Sequence, residues 1–214
     1  NANATYIKRL GNTGRNFSVG GTVTSGEQNT DSQLDALTEY FSTGETDALD
    51  QLQYTLSNDL RLDGQFSYTE PLKKRRFLEF SYNFNTLNAD YVHDVYDVEN
   101  GNQVINDTLS NFYTSVFQYH RPGVSFRYSG EVNTVNAGLQ YQMSELTGEL
   151  SRNETDIRQT YNHLLPKFMW RSDLGNGKNL RFSYNTKITQ PTITQLSPVL
   201  DNADPLRLYI GNPN

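Results

Sequence analysis

Histidine is the residue type in this chain best suited to acid–base or metal chemistry. His93, His120 and His163 lie in three different segments, and none has a second ligand at the spacing of a known metal motif. His120 stands near Ser115 and Ser125 in the sequence, which raises the option of a serine nucleophile activated by a histidine. Nothing orients that pair towards a third group. The histidines therefore predict neither a catalytic site nor a metal site.

Carboxylates are the other candidates for chemistry, because two small acidic groups could offer oxygen ligands to a hard cation. These groups are Asp94, Asp97 and Glu99, and the pair Asp201 and Asp204. Neither has the ligand order of a calcium-binding loop, and the Asn100-Gly101 that follows the first is typical of a hairpin turn. The chain also lacks cysteine, a phosphate-binding glycine motif and the serine hydrolase motif. We expect no enzymatic activity, no metal and no cofactor.

The strongest pattern in the sequence is an alternation of apolar and polar residues. From Leu52 to Tyr68 the even positions are mostly apolar, whereas no odd position between them is. A period of two places the two sets on opposite faces of a β-strand. At about 3.3 Å per residue the strand is roughly 55 Å long, far beyond the usual soluble strand. A long strand with one apolar and one polar face is typical of a membrane barrel wall.

The same alternation recurs along the chain and predicts an all-β fold. We expect an antiparallel up-and-down meander of about seven or eight long strands that forms part of a transmembrane β-barrel. The strands are predicted near 14–25, 51–69, 76–89, 108–129, 132–145, 160–172 and 178–189. No run of about 20 apolar residues occurs, so a helical membrane protein is excluded. The net charge of −6 disfavours a nucleic-acid partner, since phosphate neutralisation dominates that binding.

The connections between these strands differ in length and charge. The chain 1–214 is predicted to be a single barrel segment, with long polar loops near 26–50, 90–107 and 146–159 and short turns near 70–75, 130–131 and 173–177. Long loops at one end and short turns at the other are the layout of outer-membrane barrels. The long segments are acidic and the short turns basic, which serves either solubility or ligand capture. Apolar residues at helical spacing also predict a short surface helix near 31–52.

The alternation assigns candidate residues to the two sides of the barrel wall. Aromatic residues two positions apart beside the short turns predict a girdle at the membrane–water boundary. Its members are Phe66, Tyr68, Phe80, Tyr82, Phe126, Tyr128, Phe168, Trp170, Phe182 and Tyr184. Polar residues on the opposite side are predicted to face the lumen and to contact a plug or a substrate. These are Gln53, Arg61, Asp63, Gln140, Gln142, Arg181 and Asn185.

The C-terminal end of the sequence resembles a known family. The strand NLRFSY at 179–184 is followed by PTITQLSP at 191–198, DNADPL at 201–206 and GNPN at 211–214, and YTEPL at 68–72 has a similar turn signature. This arrangement resembles the β-barrel of TonB-dependent outer-membrane receptors, especially the Bacteroidetes-type family. The resemblance covers most of the chain and is most specific at its end.

The resemblance implies a function that this chain would perform as part of a larger protein. Such receptors have a barrel of about 22 strands around a plug, lie in the outer membrane of Gram-negative bacteria and take up a large nutrient, such as a siderophore or glycan. The implied partners are outer-membrane lipid, the protein's own plug domain, the TonB complex and the unidentified nutrient. With about seven strands and no plug, the chain is expected to be a barrel fragment.

Two alternatives of other classes remain open at this stage. One is a free-standing small outer-membrane barrel of eight strands with an adhesive or structural role in the envelope. The other is a soluble, lipocalin-like barrel that binds a ligand. The soluble barrel would turn its apolar face inward and its polar face to water, so the direction of the two faces separates it from both membrane barrels.

Overall fold

The computed structural model describes residues 1–150, 155–189, 195, 200–204 and 207–210. In these ranges the chain forms eleven strands. They are β1 (Ala2–Leu10), β2 (Arg15–Tyr40), β3 (Glu45–Lys73), β4 (Arg76–Glu99), β5 (Asn102–Ile105), β6 (Asn111–Ser129), β7 (Asn133–Leu150), β8 (Thr155–Gly175), β9 (Lys178–Asn185), β10 (Leu200–Asp204) and β11 (Arg207–Ile210). In these ranges there is no helix that is long and apolar enough to cross a membrane.

Eight of these strands form an antiparallel meander in the order β1-β2-β3-β4-β6-β7-β8-β9, and β5 pairs with the end of β4. This confirms the predicted all-β meander. Along the described chain β1 and β9 each have only one neighbour, so the sheet is an open, curled wall and its two edges do not pair. Strands β10 and β11 form a separate small ladder.

The tight turns follow the chemistry of their residues. Asn100 and Gly101 have φ of 51° and 82° between β4 and β5, and Asn176 and Gly177 have φ of 51° and 74° between β8 and β9. Asparagine and glycine tolerate this left-handed region, whose twist suits a two-residue hairpin. Arg75 also has a positive φ of 68°. Its carbonyl accepts a hydrogen bond from the backbone N–H of Ser129 at 2.8 Å, which ties this turn to the next hairpin.

The long loop predicted at 26–50 is instead a paired ladder. β2 has 26 residues and β3 has 29, and they pair as far as Tyr40 and Glu45. The surface helix predicted near 31–52 is therefore wrong, and Leu34 and Leu37 lie on opposite faces of β2. The reason is that two strands can bond to each other through their backbones whatever the side chains are, so a segment that is polar on both faces can extend a hairpin without apolar alternation.

The other two predicted loops are also shorter than expected. β4 continues to Glu99 and returns through β5, whose Ile105 pairs with Tyr96. β7 extends to Leu150 and β8 begins at Thr155, and residues 151–154 lie outside the described ranges. Short turns connect β3 to β4 and β8 to β9 within the ranges predicted for them, and the turn from β6 to β7 extends one residue beyond its predicted range, to Val132. The sequence missed β1, because Ala2–Leu10 lacks a clear apolar alternation.

Burial distinguishes the two faces of the curled sheet. Cross-strand register places the odd residues of β3, β4, β6, β8 and β9 and the even residues of β2 and β7 on one face. Every buried residue on the strands except Ser172 lies on that face, including Val95, Phe117 and Gln142. Side chains crowd together on the inside of a curve, so this is the concave face. The opposite face is convex.

Candidate functional site

The convex face exposes a continuous apolar band. Leu60 is 40 % exposed, Phe80 47 % and Tyr184 54 %, although residues of these types are usually buried in soluble proteins. On β3 the band runs from Leu60 to Tyr68, which at about 3.3 Å per residue and a strand tilt of about 40° corresponds to a height of roughly 20–25 Å. An exposed apolar surface of this extent is expected against hydrocarbon and not against water.

All ten predicted girdle residues lie on this convex face, and they line up across strands. Phe66 pairs with Tyr82 and Tyr68 with Phe80. Phe168 pairs with Tyr184 and Trp170 with Phe182, and the rings of Phe168 and Phe182 are 6.0 Å apart. Phe126 and Tyr128 on β6 lie opposite Leu78 and Arg76. The structure therefore gathers the aromatic residues into a belt beside the short turns, where amphipathic rings suit a membrane boundary.

A polar network borders the belt on the side of the turns. Arg15 on β2 donates two hydrogen bonds to Oε1 of Glu70, at 2.7 and 2.9 Å, and the hydroxyl of Tyr68 donates to Oε2 at 2.6 Å. These bonds lower the pKa of the Glu70 carboxyl, and those from Arg15 contribute more than the bond from Tyr68. A second ion pair joins Arg75 to Glu131 across two turns, and it lowers the pKa of Glu131.

All seven predicted lumen-facing residues lie on the concave face, but they do not form one cluster. Asp63 accepts a hydrogen bond from Asn85 Nδ2 at 2.8 Å. Gln142 is 3 % exposed, and its Oε1 accepts two bonds from Arg121, at 2.6 and 3.0 Å. Gln53 has a buried Nε2 without a hydrogen-bond partner among the described residues. The remaining four are Arg61, Gln140, Arg181 and Asn185, spread over β3, β7 and β9.

The sequence missed a compact apolar cluster on the concave face beyond the band. Its buried members are Tyr113, Phe117, Leu146 and Ile157, and Leu87, Tyr91 and Tyr119 pack against them. The rings of Tyr91 and Tyr113 stack at 4.9 Å, and the Arg121 guanidinium lies 4.4 Å from the ring centre of Tyr119. The odd aromatic positions from 113 to 119 carried the signal, but the even positions of the same stretch include Phe112 and Val116 and obscure the alternation.

The histidines are positioned away from any catalytic arrangement in the described chain. His120 lies on the convex face, hydrogen-bonded to the Tyr82 hydroxyl at 2.6 Å, whereas Ser115 and Ser125 lie on the concave face of the same strand. His93 is 2.9 Å from the Thr55 hydroxyl, and the ring of His163 packs beside Tyr161 at 6.3 Å.

The acidic side chains that the structure describes do not converge on a metal site. Asp97 accepts hydrogen bonds from Gln51 Nε2 at 2.7 Å and from Asn106 Nδ2 at 2.8 Å, which occupies both of its oxygens. Among the described residues no three potential ligands converge. The side chains of Asp201 and Asp204, and the segments 191–194, 196–199 and 211–214 of the C-terminal motif, lie outside what the structure describes.

The two-faced sheet agrees with the comparison against known families. The model of the outer membrane protein beta-barrel family matches residues 8–214. The chain belongs to this family. Membership of this family accounts for the exposed apolar band and locates the chain in the outer membrane. Beside the apolar band the concave face is polar, whereas the soluble lipocalin-like alternative needs an apolar interior.

One solved structure similar to this outer membrane β-barrel protein is that of the ferric citrate transporter FecA in its unliganded form. The two share 14 % sequence identity at a TM-score of 0.47, over 78 % of this chain. The chain spans only 26 % of the length of that transporter chain. The sequence matches no curated protein.

Proposed function

We propose that this chain is part of the barrel wall of a Bacteroidetes-type TonB-dependent receptor that takes up a large nutrient. The observation that carries the proposal is the pairing of an exposed apolar convex face with a polar concave face on one sheet whose edges are open. A wall of this kind separates lipid from a wet interior. The C-terminal sequence motifs supply the link to TonB-dependent receptors.

The open edges support a larger barrel. In hydrocarbon each unpaired backbone N–H or C=O costs several kcal/mol, so a sheet edge inside a membrane must be paired. Along the described chain β1 has no partner on its outer edge, and β9 covers β8 only from Lys167 to Gly175. Strands outside the described residues would complete the wall, in line with a barrel segment.

The proposed mechanism involves binding and conformational change without covalent chemistry. The nutrient would bind at the rim formed by the extended strands and pass along the concave face. A plug domain would block the interior and rearrange when the TonB complex supplies energy. Because this uptake needs no covalent step, we propose that the chain is not an enzyme.

Growth of a deletion strain tests this function. The gene that encodes this chain is deleted, and growth is compared on a panel of iron chelates and oligosaccharides, each supplied as the limiting nutrient. We expect one nutrient class to fail, with rescue by the intact gene and the same defect in a strain without TonB. Normal growth of the deletion strain on the whole panel, or a defect that does not depend on TonB, would refute the proposal.

A further inference from the structure

Three basic side chains lie close together on the concave face near the short turns. They are Lys167 and Arg171 on β8 and Arg181 on β9; we call them the basic cluster. Met169 lies at the centre: Lys167 and Arg171 are two residues to either side of it along β8. Arg171 is directly opposite Arg181. With strands about 4.8 Å apart, these long side chains reach a common region.

The basic cluster forms no ion pair among the described residues. Arg181 Nη2 lies 3.8 Å from Met169 Sδ. No described carboxylate forms an ion pair with any of the three cations. The nearby acid Asp173 accepts a hydrogen bond from the backbone N–H of Gly175 at 2.9 Å.

The pair Arg171 and Arg181 is unfavourable as it stands. Like charges directly opposite each other on neighbouring strands destabilise a sheet. An anion that bridges the two guanidinium groups would turn this repulsion into charge-assisted hydrogen bonds, and arginine is well suited to carboxylate and phosphate oxygens.

The neighbouring residues leave space for such an anion. A side chain at Gly138 would collide with Lys167, since a Cβ there would lie 2.5 Å from the Lys167 Cε. The glycine therefore lets the lysine lie across the concave face. Beside it is a recess with a mostly apolar exposed lining, formed by Asn136, Lys167, Phe168, Met169, Ser183, Tyr184 and Asn185.

The concave face of β6 and β7 beyond the cluster carries no acidic side chain. Its inward side chains from Tyr113 to Tyr119 and from Gln140 to Gly148 are uncharged, and Arg121 is a cation. The acidic residues Glu145 and Glu149 of β7 lie on the convex face instead. Basic side chains on a surface of this kind would concentrate an anion.

We propose that the basic cluster binds a small anion that carries two or more carboxylate or phosphate groups. The claim that such an anion is the transported nutrient rests on the proposed uptake function. The claim that the cluster binds such an anion requires only that the concave face be open to solutes. Arg171 and Arg181 would bridge the anion, and Lys167 would flank it.

Calorimetric titration of the purified full-length protein in neutral detergent tests the site, with tricarballylate and inorganic pyrophosphate as probes. We expect binding of at least one probe, weakened by added salt. The double variant Arg171→Gln/Arg181→Gln should bind roughly a hundredfold more weakly, at about tenfold for each charged hydrogen-bond donor. The double variant Arg171→Lys/Arg181→Lys should retain part of the affinity, because it keeps the charge. Lys178→Gln is the matched control, since it removes an exposed cation from the convex face of the same hairpin and should change nothing.

Arg181→Glu separates loss of the binding site from loss of the fold. It should raise the thermal stability of the barrel by relieving the repulsion with Arg171, and it should abolish binding of the anion. The site is refuted if the wild-type protein binds neither probe, or if the Gln variant and the Lys178→Gln control bind equally. These results do not depend on TonB. Uptake that needs TonB without anion binding would overturn only this inference, and anion binding without energised uptake would overturn only the proposed function.

Discussion

An arginine placed on one face or the other of β3 should reveal which face meets lipid. Leu62 lies inside the apolar band on the convex face, halfway between its end at Leu60 and its centre at Gly64, and is 37 % exposed; its neighbour Arg61 is already a charged residue on the concave face. An arginine that faces lipid costs about 2–4 kcal/mol at the bilayer midplane and about 0–1 kcal/mol near the interfaces. Leu62→Arg should therefore lower the free energy of unfolding in lipid vesicles by about 1–3 kcal/mol. Gln65→Arg, on the concave face, should change it by less than about 0.5 kcal/mol.

The assay is urea unfolding of the full-length protein in phosphatidylcholine vesicles, followed by tryptophan fluorescence. The same two variants measured in bilayers of shorter acyl chains provide a control, because a thinner hydrocarbon core brings position 62 closer to the interface and reduces the cost. Equal destabilisation by Leu62→Arg and Gln65→Arg would refute the assignment of the faces. So would a larger effect at position 65.

Three further predictions concern particular side chains. Phe117→Ala should lower the free energy of unfolding by about 3–5 kcal/mol, because Phe117 is only 5 % exposed in the concave cluster; Val116→Ala on the exposed side of the same strand is the matched control in the urea assay. The lowered pKa of Glu70 means that its bond with Arg15 stabilises the fold fully above the unfolded pKa of about 4.3 and loses this contribution as the pH falls through the folded value. Glu70→Gln should therefore flatten the acid limb of a plot of melting temperature against pH, and an unchanged limb would contradict the role of this pair. Asn176→Ala should cost about 1 kcal/mol, since Asn176 has a φ of 51°, whereas Asn176→Gly should leave the melting temperature unchanged or raised.

The sequence predicted the faces of the wall well because a strand has a fixed period. Alternation between Leu52 and Tyr68 places each side chain on one of two sides, and neighbouring strands in register carry the same sorting across the sheet. The aromatic belt followed from the same rule, since its residues sit two apart beside the short turns. The Asn100-Gly101 turn was also predictable, because few residue pairs adopt its backbone.

The extended ladders and the concave clusters were not predictable in the same way. Residues 26–40 pair with residues 45–59 through their backbones, and the polar side chains of 26–40 and 45–51 carry no period that marks a strand. The cluster around Phe117 joins four strands that are distant in sequence, so only the register brings it together. The basic cluster has the same origin, since only the register places Arg171 directly opposite Arg181.

Labelling of single cysteines tests the central claim most directly, because the chain contains no cysteine of its own. Cysteines are placed one at a time from position 60 to position 68 of the full-length protein in vesicles, and each carries a nitroxide spin label. The measurement compares collisions of the label with oxygen, which concentrates in hydrocarbon, and with a water-soluble nickel chelate. We predict that even positions favour oxygen and odd positions favour nickel, with a period of two. The opposite sorting, or no alternation, would contradict an apolar face towards lipid and a polar face towards a wet interior.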